Sequence, residues 1–135
     1  MPGTVYSGRG ALDKIREITE GRFKKAALFT DKGVEQAGLL KAPIKLLHEA
    51  GVETVVLADL PAEADCDEAQ QAIDRFRRVG ADLIVAAGGG SVMDVAKLAS
   101  ITADGSVTVR QLLENPGLGR KSIPVLMIPT TAGTG

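Results

Sequence analysis

The sequence predicts an α/β fold, a parallel sheet with helices on both faces. Two observations carry this expectation. Short apolar runs recur along the chain: AALFT at 26–30, ETVVLA at 53–58, DLIVAA at 82–87 and a last run at 123–128. Segments with apolar residues at helical spacing alternate with them. Strands that are apolar almost throughout belong to parallel sheets buried on both sides, and the alternation supplies the crossover helices.

Taken in order, ALDKIREITE at 11–20 places Leu12, Ile15 and Ile18 near helical spacing, and the strand 26–30 follows Gly21. Asp31-Lys32-Gly33 breaks that strand. Residues 34–50 set Val34, Ala37, Leu40, Ile44 and Leu47 on one stripe, with Pro43 predicting a kink or two shorter helices. Gly51 is a helix stop, and the strand 53–58 and a proline-containing loop at 59–67 follow. Ala69, Ala72, Ile73, Phe76 and Val79 then define a one-faced helix ending at Gly80. The strand 82–87 runs directly into three glycines, and 91–100 reads as helix. A short helix at 109–114 and turn chemistry at Asn115-Pro116-Gly117 precede the final strand, which ends at Pro129.

The chain of 135 residues has the length of one domain and can bury roughly two thirds of its unfolded surface. Sixteen basic and seventeen acidic residues give a net charge of −1, a balance that points to neither nucleic acid nor an anionic membrane surface. The aromatic content of 3% argues against a base-stacking platform. No run is apolar and long enough to span a bilayer, and MPGTVYSGRG lacks the apolar core of a leader. The single cysteine, Cys66, lies between Asp65 and Asp67, cannot close an internal disulfide, and fits a reducing, cytoplasmic setting.

In a parallel α/β sheet, ligands sit beyond the carboxyl ends of the strands. Three loops lie there. Gly88-Gly89-Gly90-Ser91 leads into a helix, with Ser91 expected as N-cap and Asp94 as its capping-box partner. Free backbone N–H groups beside glycines suit an anion such as a phosphate; a bare strand-to-helix turn is the other reading. The stretch is neither G-x-G-x-x-G, since Met93 occupies the third glycine position, nor a P-loop. Asp31 can accept bonds from a ribose, or it simply caps the next helix. PTTAGTG at 129–135 offers the hydroxyls of Thr130, Thr131 and Thr134 on a small-residue loop, or it is a frayed end. Lys97 reads as a solvated charge.

No catalytic set stands out. His48, the sole histidine, lies on a helix flank, and no His, Asp and Glu cluster has metal-site spacing. No serine or cysteine is paired with a histidine.

GGGSVMDVAK at 88–97, IPTTAGTG at 128–135 and FTDKG at 29–33 together resemble the iron-containing (group III) alcohol dehydrogenase family. The first matches its GGGSxxDxAK signature at every fixed position, and the second matches its PTTAGTGSE loop to the last residue of the chain. SGRGALDKI at 7–15 is similar to the family's opening glycine turn. The resemblance implies a Rossmann-like, N-terminal dinucleotide-binding domain over residues 1–135. It further implies that Gly89, Gly90 and Ser91 take the pyrophosphate of NAD, with Asp94 shaping the helix start. Asp31 would meet the adenosine ribose and favour NAD over NADP, and Thr130, Thr131 and Thr134 would line the phosphate and nicotinamide side. In the family a divalent metal such as iron or zinc polarises an alcohol or aldehyde substrate, and its aspartate and histidine ligands lie in a helical second domain, outside these 135 residues. The chain departs from the family at 61–64, where PAEA replaces a Pro-Asn-Pro-Thr-like turn.

These implications set further expectations: no catalysis by this chain alone, and a homo-oligomer. The alternatives are a non-catalytic nucleotide-binding or assembly module, a glycerol dehydrogenase-like domain, and a phosphosugar-binding sheet.

Overall fold

The structure is a computed structural model that describes residues 5–6, 15, 17, 19–61, 63–103, 105–118 and 123–129. Five parallel strands form one sheet: β1 (Val5–Tyr6), β2 (Lys25–Thr30), β3 (Glu53–Leu57), β4 (Leu83–Gly88) and β5 (Val125–Pro129). Their spatial order is β1-β5-β4-β2-β3. Each predicted apolar run is a strand, displaced by at most two residues. The helices with both ends among the described residues are α1 (Lys32–Gln36), α2 (Lys41–Glu49), α3 (Cys66–Val79), α4 (Gly90–Ile101) and α5 (Val109–Glu114). Pro116–Leu118 form one turn of 3-10 helix. Leu12 and Ile18 lie outside the described residues, whereas Ile15 is helical and fully buried.

Alternation along the strands divides the core in two. Ala27 and Phe29 of β2, Ile84 and Ala86 of β4, and Met127 of β5 face α3, α4 and α5. Their neighbours Ala26, Leu28, Leu83, Val85, Leu126 and Ile128 face Val34 of α1 and Leu47 of α2 on the other side. The centre is the most enclosed part: every residue of β4 is buried. Across the first face, the rings of Phe29 and Phe76 lie 5.7 Å apart in a tilted pair, a favoured aromatic geometry.

Helix α3 is the element that the sequence defines most sharply. Its stripe Ala69, Ala72, Ile73 and Phe76 is buried, with Val79 at the margin. Asp65 caps it in a reciprocal box with Glu68, and Gly80 closes it at φ 72°, the left-handed conformation that glycine adopts without strain.

The 34–50 stretch is two helices, as one of its two expected forms, but the break is not at Pro43. It falls at residues 37–40, and Ala37, expected on the buried stripe, is exposed. Pro43 is the third residue of α2, where a missing N–H leaves no intrahelical bond unmade. Its ring is buried instead.

Candidate functional site

The order of the strands places one site on this sheet. From β2 the chain leaves toward the face covered by α1 and α2; from the adjacent strand β4 it leaves toward the opposite face, covered by α3 and α4. Divergent exits from neighbouring strands open a crevice at their carboxyl ends. Asp31 stands at one lip of it and Gly88–Gly90 at the other.

The two lips are tied together. Thr30, the last residue of β2, is fully buried, and its hydroxyl donates a 2.7 Å bond to the carbonyl oxygen of Ala87 in β4. Thr30 lay hidden in the apolar run AALFT; its one signal in the sequence is a hydroxyl at the end of an otherwise apolar strand.

Asp31 has extended backbone and caps α1, its Oδ1 accepting 2.8 Å from the Val34 amide. The capping reading is therefore observed. It leaves the second carboxylate oxygen without a protein donor among the described residues, and a carboxylate can serve both purposes.

At the other lip, the expected Ser91 cap is not formed. The extended backbone of an N-cap falls at Gly89 (φ −84°, ψ −166°), so Ser91 is the second residue of the helix and Asp94 lies exposed in the next turn. The capping box between Ser91 and Asp94 is absent with it. The consequence is a helix start capped by no side chain, whose first amides have no intrahelical acceptor.

The three glycines differ in what they do. A Cβ on Gly88 would stand 2.8 Å from Cγ2 of Val92, so glycine there lets α4 pack against β4. Around Gly89 and Gly90 a Cβ would meet no atom of the described residues within 4 Å, and none of the three has a positive φ. Neither turn geometry nor packing against the described residues asks for glycine at 89 and 90.

Two cavities flank the crevice. One of about 490 Å³ is lined by Asp31, Lys32, Gly33, Asp59, Leu60 and Pro61, at the ends of β2 and β3. One of about 550 Å³ runs beside the glycines between α3 and α4, lined in part by Glu63, Cys66, Gly90, Ser91, Asp94 and Leu113. A third, of about 620 Å³, lies elsewhere, between α2 and the start of β3, with exposed His48 on its wall. Of the stretch 61–64 that departs from the family turn, Pro61 lines the first crevice cavity and Glu63 and Ala64 line the second. Thr130, Thr131 and Thr134 lie outside the described residues. Among the described residues no three His, Cys, Asp or Glu side chains converge as a metal site, and no helix is long and apolar enough to cross a membrane.

Sheet order, crevice and uncapped helix start define a doubly wound, Rossmann-like α/β domain with its open site at the switch point. Comparison with known proteins makes that more specific. The model of the family described as iron-containing alcohol dehydrogenase matches residues 2–135, and the chain belongs to that family. It is 30% identical over 132 residues to a sulfoacetaldehyde reductase of Bilophila wadsworthia, covering 97% of this chain and 34% of that protein. It is 33% identical over 139 residues to long-chain-alcohol dehydrogenase 1 of Geobacillus thermodenitrificans, covering 100% of this chain and 35% of that protein. An iron-containing alcohol dehydrogenase of Thermotoga maritima superposes with a TM-score of 0.81 at 31% identity, over 99% of this chain and 38% of its own. The chain thus spans about a third of the length of the relatives it matches. These relatives are named as oxidoreductases acting on alcohols or aldehydes.

Proposed function

We propose that this chain is the NAD-binding domain of a metal-dependent alcohol dehydrogenase, which passes a hydride between an alcohol or aldehyde and the nicotinamide. The observation that carries the reading is the pair Gly89 and Gly90. They have ordinary backbone angles, and no described residue fills the space where their side chains would stand, at a helix start with no side-chain cap. A pyrophosphate lying against these amides is what a Cβ would obstruct and what the helix dipole favours.

On this reading Gly89, Gly90 and the amide and hydroxyl of Ser91 hold the pyrophosphate. Asp31 offers its second oxygen to the adenosine ribose, and this negative lip favours NAD over NADP. Asp94 acts one turn in, on the wall of the cavity, and not as a cap. The family pattern gives Thr130, Thr131 and Thr134 to the phosphate and nicotinamide side. When bound, NAD supplies the hydride acceptor; a divalent metal such as iron or zinc belongs with ligands beyond this chain. The small-molecule partner is an alcohol or aldehyde, and the assembly a homo-oligomer.

Titration of NADH into the purified chain, followed by nicotinamide fluorescence, tests the cofactor reading. Saturable binding is expected. Absence of binding up to millimolar NADH, with circular dichroism showing a folded chain, would overturn it. No alcohol oxidation is expected from these 135 residues alone, with or without added iron or zinc.

A further inference from the structure

The cavity at the ends of β2 and β3 carries a second carboxylate, with no counterpart among the residues named from sequence. β2 and β3 pair in parallel from Lys25↔Glu53 to Phe29↔Leu57. Asp31 and Asp59 each stand two residues beyond that last pair, so strands spaced about 4.8 Å apart bring both acidic residues to one level. Both line the same cavity, beside buried Leu60.

Asp59 is paired with a cation from the neighbouring helix. Its Oδ2 accepts a 3.1 Å bond from Nη1 of Arg75 on α3. The Nε of Arg75 is enclosed and has no acceptor, which leaves Asp59 as the guanidinium's acceptor among the described residues. A ribose 2′-phosphate would carry a charge of about −1.5 to −2, and an unpaired guanidinium is the side chain best shaped to receive it.

We infer that the Asp59–Arg75 pair is a second determinant of cofactor choice, acting with Asp31 to exclude a 2′-phosphate. Asp59 does so in two ways: it adds negative charge at the level of Asp31, and it keeps Arg75 from becoming a phosphate ligand. The inference rests on the dinucleotide reading of the crevice.

The test is titration of NADH and NADPH into the unmodified chain, Asp59→Asn, Asp59→Asn/Arg75→Gln and Asp59→Glu. Both side chains are substantially solvent-exposed, at 62% and 42%, and circular dichroism controls for folding. Asp59→Asn is expected to tighten NADPH roughly five- to tenfold at low salt, with NADH changed by less than about twofold. The double variant should lose most of that gain, and Asp59→Glu should keep the original preference. The unmodified chain's preference for NADH should narrow as salt rises. Unchanged NADPH affinity in Asp59→Asn, with NADH still bound, overturns this inference and leaves the cofactor reading standing. An equal gain in the double variant overturns the part assigned to Arg75. Failure of the unmodified chain to bind either dinucleotide overturns both readings.

Discussion

The hydroxyl of Thr30 bonds to the carbonyl oxygen of Ala87 at 2.7 Å, across two strands whose chains then leave for opposite faces of the sheet. Among the described residues it is the side-chain bond that joins the two lips of the crevice, and it is buried. Thr30→Val keeps the shape and removes the bond, which should destabilise the fold by about 1–2 kcal/mol. Thr30→Ser should recover much of that loss. Urea denaturation distinguishes them: if Val and Ser unfold at the same midpoint, the hydroxyl does not hold the lips together.

Gly88 answers to packing alone. Gly88→Ala puts a methyl 2.8 Å from Val92 Cγ2 and 3.0 Å from its Cβ, atoms near the root of a stiff side chain. Helix α4 must then shift off β4, at a cost of about 1–3 kcal/mol. The expected result is a lower urea midpoint with the same slope. A midpoint equal to that of the unmodified chain would show that α4 yields freely.

Much of this was legible beforehand, for physical reasons that differ by element. Strands β2, β4 and β5 were plain because a sheet buried on both faces leaves no alternation to misread. Helix α3 was plain because its apolar stripe is narrow and its other face charged. The start of α4 was misplaced by two residues: Ser91 is the better capping residue by chemistry, but the chain is already helical at Gly90. The pairing of Asp59 with Arg75, sixteen residues apart, follows from how α3 lies on the sheet and has no periodic trace. Of the crevice, the sequence marked Asp31 and the glycines; the register that sets Asp59 level with Asp31 needed the fold.

At the start of α3, Asp65 Oδ1 accepts from the Glu68 amide at 2.7 Å, and Glu68 returns a carboxylate to the Asp65 amide at 3.1 Å. Asp65→Ala removes the first bond and leaves the backbone donor of the second in place, for a loss of about 1 kcal/mol. Asp65→Asn should retain most of the stability, since amide oxygen caps as well. Thermal unfolding of the two variants checks this; equal melting temperatures would mean that packing of Ala69 and Ile73 alone fixes the helix start.

Gly89 and Gly90 should behave in the opposite way to Gly88. With no described residue within 4 Å of either added methyl and no positive φ, Gly89→Ala and Gly90→Ala should leave stability within about 0.5 kcal/mol, and alanine at 90, the first helical residue, can raise it slightly. If the space is instead that of a pyrophosphate, each methyl stands where the ligand approaches the amides. Affinity for NADH should then fall by roughly tenfold or more, equivalent to about 1.4 kcal/mol, with the fold intact. Parallel urea and NADH titrations of the three alanine variants separate a packing glycine from two ligand glycines. Unchanged NADH affinity in both Gly89→Ala and Gly90→Ala would remove the observation on which the cofactor reading chiefly stands.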